Sequence, residues 1–101
     1  MIVYNITIKI EPGIEDEWVR WQQDEHIPDV MSSGRFSEYK FYRLLEPVDM
    51  EGPTYVVQYV ASSLENYQQY LDENASSLRR KALEKWGDQF IAFRTVMQVV
   101  H

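Results

Sequence analysis

The sequence predicts an α+β fold in which a four-stranded antiparallel sheet carries two helices on one face. Three observations lead to this fold. All four glycines and three of the four prolines fall between periodic segments, and they divide the chain into six elements. Two of these segments repeat apolar residues at helical spacing, whereas the other four alternate or are rich in β-branched and aromatic residues. Short connections and right-handed crossovers arrange the resulting order β-α-β-β-α-β as a split βαβ unit.

The first half of the chain supplies one strand and one helix. From Ile2 to Ile10 the even positions are apolar and most odd positions are polar, which is typical of a strand with one face in the core. After the breaker at residues 12–13, the acidic residues 15–17 suit the positive end of a helix dipole. Trp18 and Trp21 then recur at helical spacing. The sequence therefore predicts a first helix that runs to about His26.

The second half supplies a hairpin, a second helix and a last strand. Segments 35–45 and 54–61 predict an antiparallel hairpin with a long loop over residues 46–53. Ser62 and Glu65 predict a capping box at the start of the next helix, and Gly87 predicts its end. Between them runs one apolar stripe: Leu64, Tyr67, Leu71, Ala75, Leu78, Ala82 and Trp86. Residues 89–100 predict the fourth strand, and we expect a single domain over residues 1–101.

Composition and charge exclude several classes of protein. Apolar residues make up 45% of the chain, which excludes disordered and low-complexity proteins. Sixteen acidic residues against ten basic ones give a net charge of -6, which repels phosphate backbones and anionic lipids. We therefore expect no nucleic-acid partner and no membrane partner. Without cysteine there is no disulfide framework, and the first residues lack the pattern of a signal peptide, so we expect a cytoplasmic protein.

The helix-free face of the predicted sheet is more apolar than a solvated face should be. In the third strand Tyr55, Val57 and Tyr59 alternate with Val56 and Val60, so both sides of that strand are apolar. The last strand shows the same feature. An antiparallel sheet with one face in water should alternate more cleanly. The sequence thus predicts that a second copy of the chain covers this face in a homodimer.

Three pieces of the sequence resemble a known superfamily: Trp18-Val19-Arg20-Trp21, Glu25-His26-Ile27-Pro28 and Gly34-Arg35-Phe36. They are similar to the dimeric α/β-barrel superfamily, whose subunits are ferredoxin-like and include antibiotic-biosynthesis-monooxygenase-like proteins. More closely, the chain resembles over almost its whole length a family of short bacterial proteins known as a domain of unknown function. The resemblance implies two sheets that face each other across a dimer, with a small organic ligand between sheet and helices. Because the superfamily includes cofactor-free oxygenases, haem-degrading enzymes and lactone isomerases, the fold alone implies no particular reaction.

Glu25 is the first candidate catalytic residue. On an ideal helix, Glu25 projects between Trp18 and Trp21, in the middle of the apolar stripe. A carboxylate buried against indole rings must find donors or raise its pKa, which is how a general base near neutral pH is made. The alternative is that Pro28 disturbs the helix and Glu25 turns towards water.

His26 is the second candidate catalytic residue. The end of the predicted helix and the neighbouring carboxylates of Asp24, Glu25 and Asp29 should favour the imidazolium form. An imidazolium would donate a proton or anchor an anionic ligand. The alternative is a capping histidine that holds the chain at the following proline. A metal site is disfavoured, because His26 and Asp29 offer only two ligands at suitable spacing.

Aromatic side chains and one arginine are the candidate ligand-binding residues. Trp18, Trp21, Tyr39 and Tyr59 would line a cavity for an aromatic molecule, although aromatic residues at this spacing also form plain core. Arg94 lies among apolar neighbours on the last strand. It would pair there with a carboxylate, either that of Glu25 or that of a ligand, or else face water at the sheet edge.

We therefore expect a protein that binds a small hydrophobic or aromatic molecule between its first helix and the sheet, without a cofactor or a metal. The enzymatic version is a cofactor-independent oxygenase, in which Glu25 or His26 deprotonates or orients an electron-rich substrate that itself activates oxygen. Haem-degrading relatives ligate iron through a histidine on the second helix, and residues 64–86 contain none. The alternative is a structural or protein-interaction homodimer whose interior is filled by side chains. RNA recognition is disfavoured, because residues 51–58 match the aromatic motif of RNA-binding strands poorly.

Overall fold

The computed structural model describes residues 1–47 and 51–101. Its four strands form one antiparallel sheet in the spatial order β2-β3-β1-β4. The strands are β1 (Ile2–Ile10), β2 (Glu38–Arg43), β3 (Thr54–Ala61) and β4 (Phe90–Gln98). With a helical segment after β1 and another after β3, the chain has the predicted ferredoxin-like α+β fold. Residues 48–50 of the predicted hairpin loop lie outside the described residues.

Each helical segment is interrupted by one π-helical turn. The first helical segment consists of α1 (Glu15–Trp21), a π turn (Gln22–His26) and α2 (Ile27–Met31). The second consists of α3 (Leu64–Tyr70), a π turn (Leu71–Ala75) and α4 (Ser76–Trp86). The prediction that the first helix ends near His26 is wrong, because the π turn carries the helix on to Met31.

The second helical segment has a defined cap at each end. At its start Ser63 is the cap, and not Ser62 as predicted, because the Ser63 hydroxyl accepts a hydrogen bond from the backbone N–H of Asn66 at 3.2 Å. At its end Gly87 has a φ of +59°, and its N–H donates to the carbonyl of Leu83 at 2.8 Å. A positive φ favours glycine, so the predicted end of this helix is confirmed.

The core lies between the sheet and the helices. Tyr4, Ile8 and Ile10 of β1 face the helices and are buried, as are alternate residues of β3. An aromatic cluster surrounds Phe36, whose ring lies 5.2 Å from that of Tyr59 and 4.9 Å from that of Tyr70 between centroids. The motif that contains Phe36 therefore serves packing.

The other face of the sheet carries no helix. In the register of β4 with β1, Ile91, Phe93 and Met97 lie on this helix-free face, because they pair with the odd residues of β1. Phe93 is 61% exposed and Ile91 is 57% exposed. Val56 shares this face, whereas Val96 pairs with Tyr4 and so lies on the helical side. In the part of the chain that the structure describes, no helix is long and apolar enough to cross a bilayer.

Candidate functional site

A small cavity lies between the two helical segments and three strands of the sheet, β1, β3 and β4. Its volume is about 40 Å³, which is space for a few water molecules. Most of its wall is apolar, and all three tryptophans of the chain contribute to it. The residues that line the cavity are Ile6, Ile8, Trp18, Trp21, Gln22, His26, Val57, Tyr59, Arg79, Ala82, Trp86, Phe90, Ala92 and Arg94.

The first π turn decides which polar side chains reach this cavity. Pro28 has no backbone N–H to offer to the carbonyl four residues earlier, and its ring would collide with that carbonyl in a regular α-helix. The chain instead forms the wider turn, in which the N–H of Ile27 donates to the carbonyl of Gln22. One additional residue in a turn rotates the rest of the helix by about 100°. As a result His26 lines the cavity, whereas Glu25 is exposed. Gln22 lines the cavity without this rotation, because its N–H donates to the carbonyl of Trp18 one regular turn earlier.

The structure therefore supports the alternative stated for Glu25, in which Pro28 disturbs the helix and Glu25 turns towards water, and the projection into the apolar stripe is wrong. The Glu25 side chain lines a surface groove between the first helical segment and α4, together with Arg20 and Lys85. The projection assumed 100° per residue throughout, and the π turn breaks that periodicity before Glu25. The carboxylate that the sequence suggested as a general base thus lies outside the cavity.

His26 is held in a largely apolar environment. Its ring stacks on the indole of Trp21, with centroids 4.7 Å apart and planes inclined by 26°. The pKa of His26 falls from 6.5 to about 4, chiefly because burial disfavours the charged ring. Asp29 opposes this shift, and the positive charges of Arg94 and Lys81 add to it. The expectation of an imidazolium is wrong, because His26 does not lie at a helix end and its charged form is poorly solvated. At neutral pH the imidazole is neutral.

Two buried polar atoms belong to residues that line the cavity and have no partner among the described residues. They are Oε1 of Gln22, a hydrogen-bond acceptor, and Nε1 of Trp86, a donor. Gln22 is 3% exposed and Trp86 is 5% exposed. A buried polar atom without a partner costs about 1–3 kcal/mol, so a small polar group in the cavity would be stabilised by either of them.

The structure brings together most of the predicted site residues, but not all. His26, Trp18, Trp21, Tyr59 and Arg94 line the cavity. Burial raises the pKa of the Tyr59 phenol, which is therefore neutral.

Tyr39 does not reach the cavity. It lies on the edge strand β2, on the other side of β3, and is about half exposed. Gln22 and Arg79 are the two polar lining residues that were not predicted from the sequence. Gln22 follows Trp18 by one regular helical turn, so the same helical spacing that pointed to Trp18 was the signal for it. Arg79 directly follows Leu78 of the apolar stripe, and a helical projection would have placed it at the edge of that stripe.

Another arginine on the sheet, Arg43, does not line the cavity and belongs to a hydrogen-bonded cluster with Glu15 and Tyr55. Arg43 lies 3.4 Å from the carboxylate of Glu15, and the hydroxyl of Tyr55 donates to the same carboxylate at 2.6 Å. Within residues 1–47 and 51–101, no three histidine or acidic side chains are grouped as they would be around a metal ion.

We expect the buried imidazole to make stability depend on pH in a defined window. Because the pKa of His26 is about 4 in the folded protein and near 6.5 in the unfolded chain, the unfolded chain takes up the proton first as the pH falls. The contribution of His26 to stability is fully present above pH 6.5 and is lost between pH 6.5 and 4. Urea unfolding at several pH values should therefore show a smaller decline in His26→Gln than in the original protein. Glu25→Gln, at the exposed neighbour, is the control, and an equal decline in all three proteins would contradict the assignment.

A family model described as "Domain of unknown function (DUF4286)" matches residues 1–100 of the chain. No curated protein matches the sequence. Several solved structures share the fold. An ethyl tert-butyl ether D (EthD) family protein from Bacillus halodurans superposes with a TM-score of 0.75 at 14% identity, covering 99% of this chain and 100% of that one.

Two further structures are similar at comparable identity. A dimeric ferredoxin-like protein from an uncultured marine organism gives a TM-score of 0.74 at 12% identity, covering 99% of this chain and 95% of that one. SnoaB, a cofactor-independent oxygenase from Streptomyces nogalater, gives 0.68 at 11% identity, with 99% and 93% covered. At such identities the likeness establishes the fold and nothing about the ligand.

Proposed function

Because the chain belongs to the family of the domain of unknown function DUF4286, we propose its role from the chemistry of its own cavity. The protein is a homodimer that binds one small hydrophobic or aromatic molecule per subunit, between the helical segments and the sheet. The observation that carries this proposal is the cavity wall, which combines three indole rings with unpartnered buried polar atoms of Gln22 and Trp86. Pockets that are mostly apolar and carry a few convergent polar groups are typical of small-molecule sites.

The size of the cavity indicates how a ligand would enter. About 40 Å³ holds a few water molecules, so a ring-sized molecule must displace side chains. We infer that the side chain to move is Arg94, which is exposed on the edge strand β4. Long, solvated side chains such as arginine change rotamer at little cost, whereas the buried indoles of the wall do not.

A reaction at this site would use His26 as proton acceptor, and we extend the proposal to an oxygenase-like step. A substrate CH₂ group next to a carbonyl loses a proton to the imidazole, and an enolate forms. The enolate then reduces O₂: the CH₂ group becomes a carbonyl, and one oxygen atom stays in the product. The other leaves as water, which takes the remaining hydrogen of the CH₂ group and the proton that His26 returns. Carbon loses four electrons and O₂ gains four. The developing enolate beside the imidazole would raise the pKa of His26 and so strengthen this base.

Binding is tested with phenol, hydroquinone and benzoate as probes. We expect at least one of them to raise the melting temperature and to change the tryptophan fluorescence, because all three tryptophans line the cavity. Ala82→Phe should abolish both effects by filling the cavity. Glu84→Phe, on the exposed side of the same helix, should leave them intact.

The same variants distinguish three descriptions of the protein: a structural homodimer, a binding protein and an enzyme. If no probe binds, or if Ala82→Phe binds as well as the original protein, the structural homodimer is the better description. Oxygen uptake with 2-indanone, which has CH₂ groups next to a carbonyl, tests the oxygenase step. Uptake should fall in His26→Gln, and binding without uptake would leave a binding protein that does not perform this step.

A further inference from the structure

The charge on the cavity wall has one sign. Among the residues that line the cavity, Arg79 and Arg94 carry formal positive charges and none carries a carboxyl group. The chain as a whole has the opposite balance, with sixteen acidic and ten basic residues. The neutral His26 adds no charge at physiological pH. A positively charged cavity in an acidic protein attracts anions locally, while the surface as a whole repels them.

Neither of the two guanidinium groups is neutralised within residues 1–47 and 51–101. Arg79 donates from Nη2 to the hydroxyl of Tyr4 at 3.0 Å, which positions the side chain without cancelling its charge. By contrast, Arg35 pairs with Glu73 at 2.6 Å and Arg43 pairs with Glu15 at 3.4 Å. Arg79 is only partly exposed and borders an apolar wall, where an unpaired charge is poorly solvated. Both lining arginines therefore retain donors for an anion.

The shape of the two groups suits oxyanions. A guanidinium presents a planar fork of N–H donors that matches a carboxylate or a phosphate with two parallel hydrogen bonds. The carboxylate is the smaller of the two and brings less charge into a narrow, largely apolar cavity. The wall also contains the indoles of Trp18 and Trp21, which suit the flat apolar body of a ligand. The cavity lining thus offers donors for a carboxylate and aromatic surfaces for a ring.

We propose that the ligand is a small aromatic or hydrophobic carboxylic acid, bound as its anion, with the carboxylate on Arg79 and Arg94 and the apolar body against the tryptophans. This inference rests on the proposed function, since it needs the cavity to hold a small molecule. It adds the chemical class of that molecule. Gln22 and Trp86 then serve as an acceptor and a donor for further polar substituents on the ring.

Three probes of nearly equal shape test the charge: benzoate, the neutral benzamide and the cationic benzylamine. Isothermal titration at pH 7.5 measures their affinities, and tryptophan fluorescence reports occupancy of the cavity. We expect benzoate to bind at least about tenfold more tightly than benzamide, the difference typical of a charged hydrogen bond. Benzylamine should bind most weakly.

Substitutions assign the effect to the two arginines. Arg94→Gln and Arg79→Gln should each weaken benzoate about tenfold and leave benzamide unchanged within about twofold. Arg80→Gln is the matched control, because it removes the same charge from the exposed residue that follows Arg79 on the same helix. Tyr4→Phe removes the partner of Arg79 without removing a charge, and it should weaken benzoate less than Arg79→Gln does.

The outcomes separate this inference from the proposed function. Equal binding of benzoate and benzamide, or an equal loss of benzoate in Arg80→Gln and Arg94→Gln, would overturn the carboxylate assignment while the cavity remains a binding site. Tighter binding of benzylamine than of benzoate would overturn it as well. If none of the three probes binds, the proposed function and the inference fall together.

Discussion

Replacing Leu78 by alanine should lower the free energy of unfolding by about 2–5 kcal/mol, as deletion of a buried leucine side chain does. Leu78 lies on α4 and is 7% exposed, within the cluster that packs against the sheet. The substitution removes apolar contacts and leaves a void that a closely packed core fills only in part. Urea unfolding at one fixed protein concentration measures the change, because association of the folded protein would otherwise contribute.

Leu83 provides a matched control on the same helix. It has the same side chain but is 58% exposed, so Leu83→Ala should change the free energy of unfolding by no more than about 0.5 kcal/mol. Leu71 is intermediate, since it lies in the π turn and is only partly buried. Comparable losses for Leu78→Ala and Leu83→Ala would mean that α4 does not pack as described.

Val56→Lys should dissociate the proposed homodimer, because the lysine would bury an unpaired charge in the interface. We expect the dissociation constant of the dimer to rise on the order of a hundredfold or more. Val56 lies on the helix-free face, on the inner strand β3, where it pairs with Thr7 and Tyr42. Tyr42 of β2 lies beside Val56 on the same face and is about half exposed. Ile91 and Phe93 of β4 are also exposed on this face, separated from β3 by the β1 residues Thr7 and Lys9. Exposed apolar patches of this kind mark association surfaces. Light scattering over micromolar concentrations gives the mass.

Val96→Lys is the control that the strand register supplies. From residue spacing alone, either the even or the odd residues of β4 could face the partner. The pairing of Val96 with Tyr4 shows that Val96 lies on the helical side of the sheet. Its replacement should leave the mass unchanged. A monomeric mass for the original protein would exclude the homodimer, and dissociation by Val96→Lys alone would mean that association uses the other side of the sheet.

Local patterns were sufficient for the elements of the fold. Residues 2–10 alternate with a period of two because one face of β1 is buried, and β1 has the predicted bounds. Gly87 ends the second helical segment where predicted. Glycine adopts a positive φ without strain, so this one residue type is enough to predict the end of a helix. Strand β2 is shorter than predicted, beginning at Glu38. These features depend on a few neighbouring residues, and such residues can be identified in the sequence.

The candidate site was predicted less completely, because its composition depends on helix phase. Trp18 and Trp21 precede the π turn, and both line the cavity as expected. Glu25 and His26 belong to the π turn itself, where the sequence left alternatives open for both residues: Glu25 turns towards water and His26 lines the cavity. Pro28 was identified as a disturbance, but the sequence did not tell whether the helix would end or widen. The pKa of His26 depends on this phase, since burial against Trp21 outweighs the nearby carboxylate.

By itself, the sequence determined the order of the elements, the apolar character of both sheet faces and the absence of acidic residues from the stripe of the second helix, because these depend on residue spacing. Only the tertiary structure decided that Gln22, His26, Arg79 and Arg94 meet at one cavity. The physical reason is that the four residues lie on elements far apart in the sequence. Whether their side chains line the same cavity depends on the rotation of each helix and on the register of the strands. A single additional residue in a turn rotates all later side chains of the helix by about 100°. The spacing of residues in the sequence does not show whether that additional residue is present.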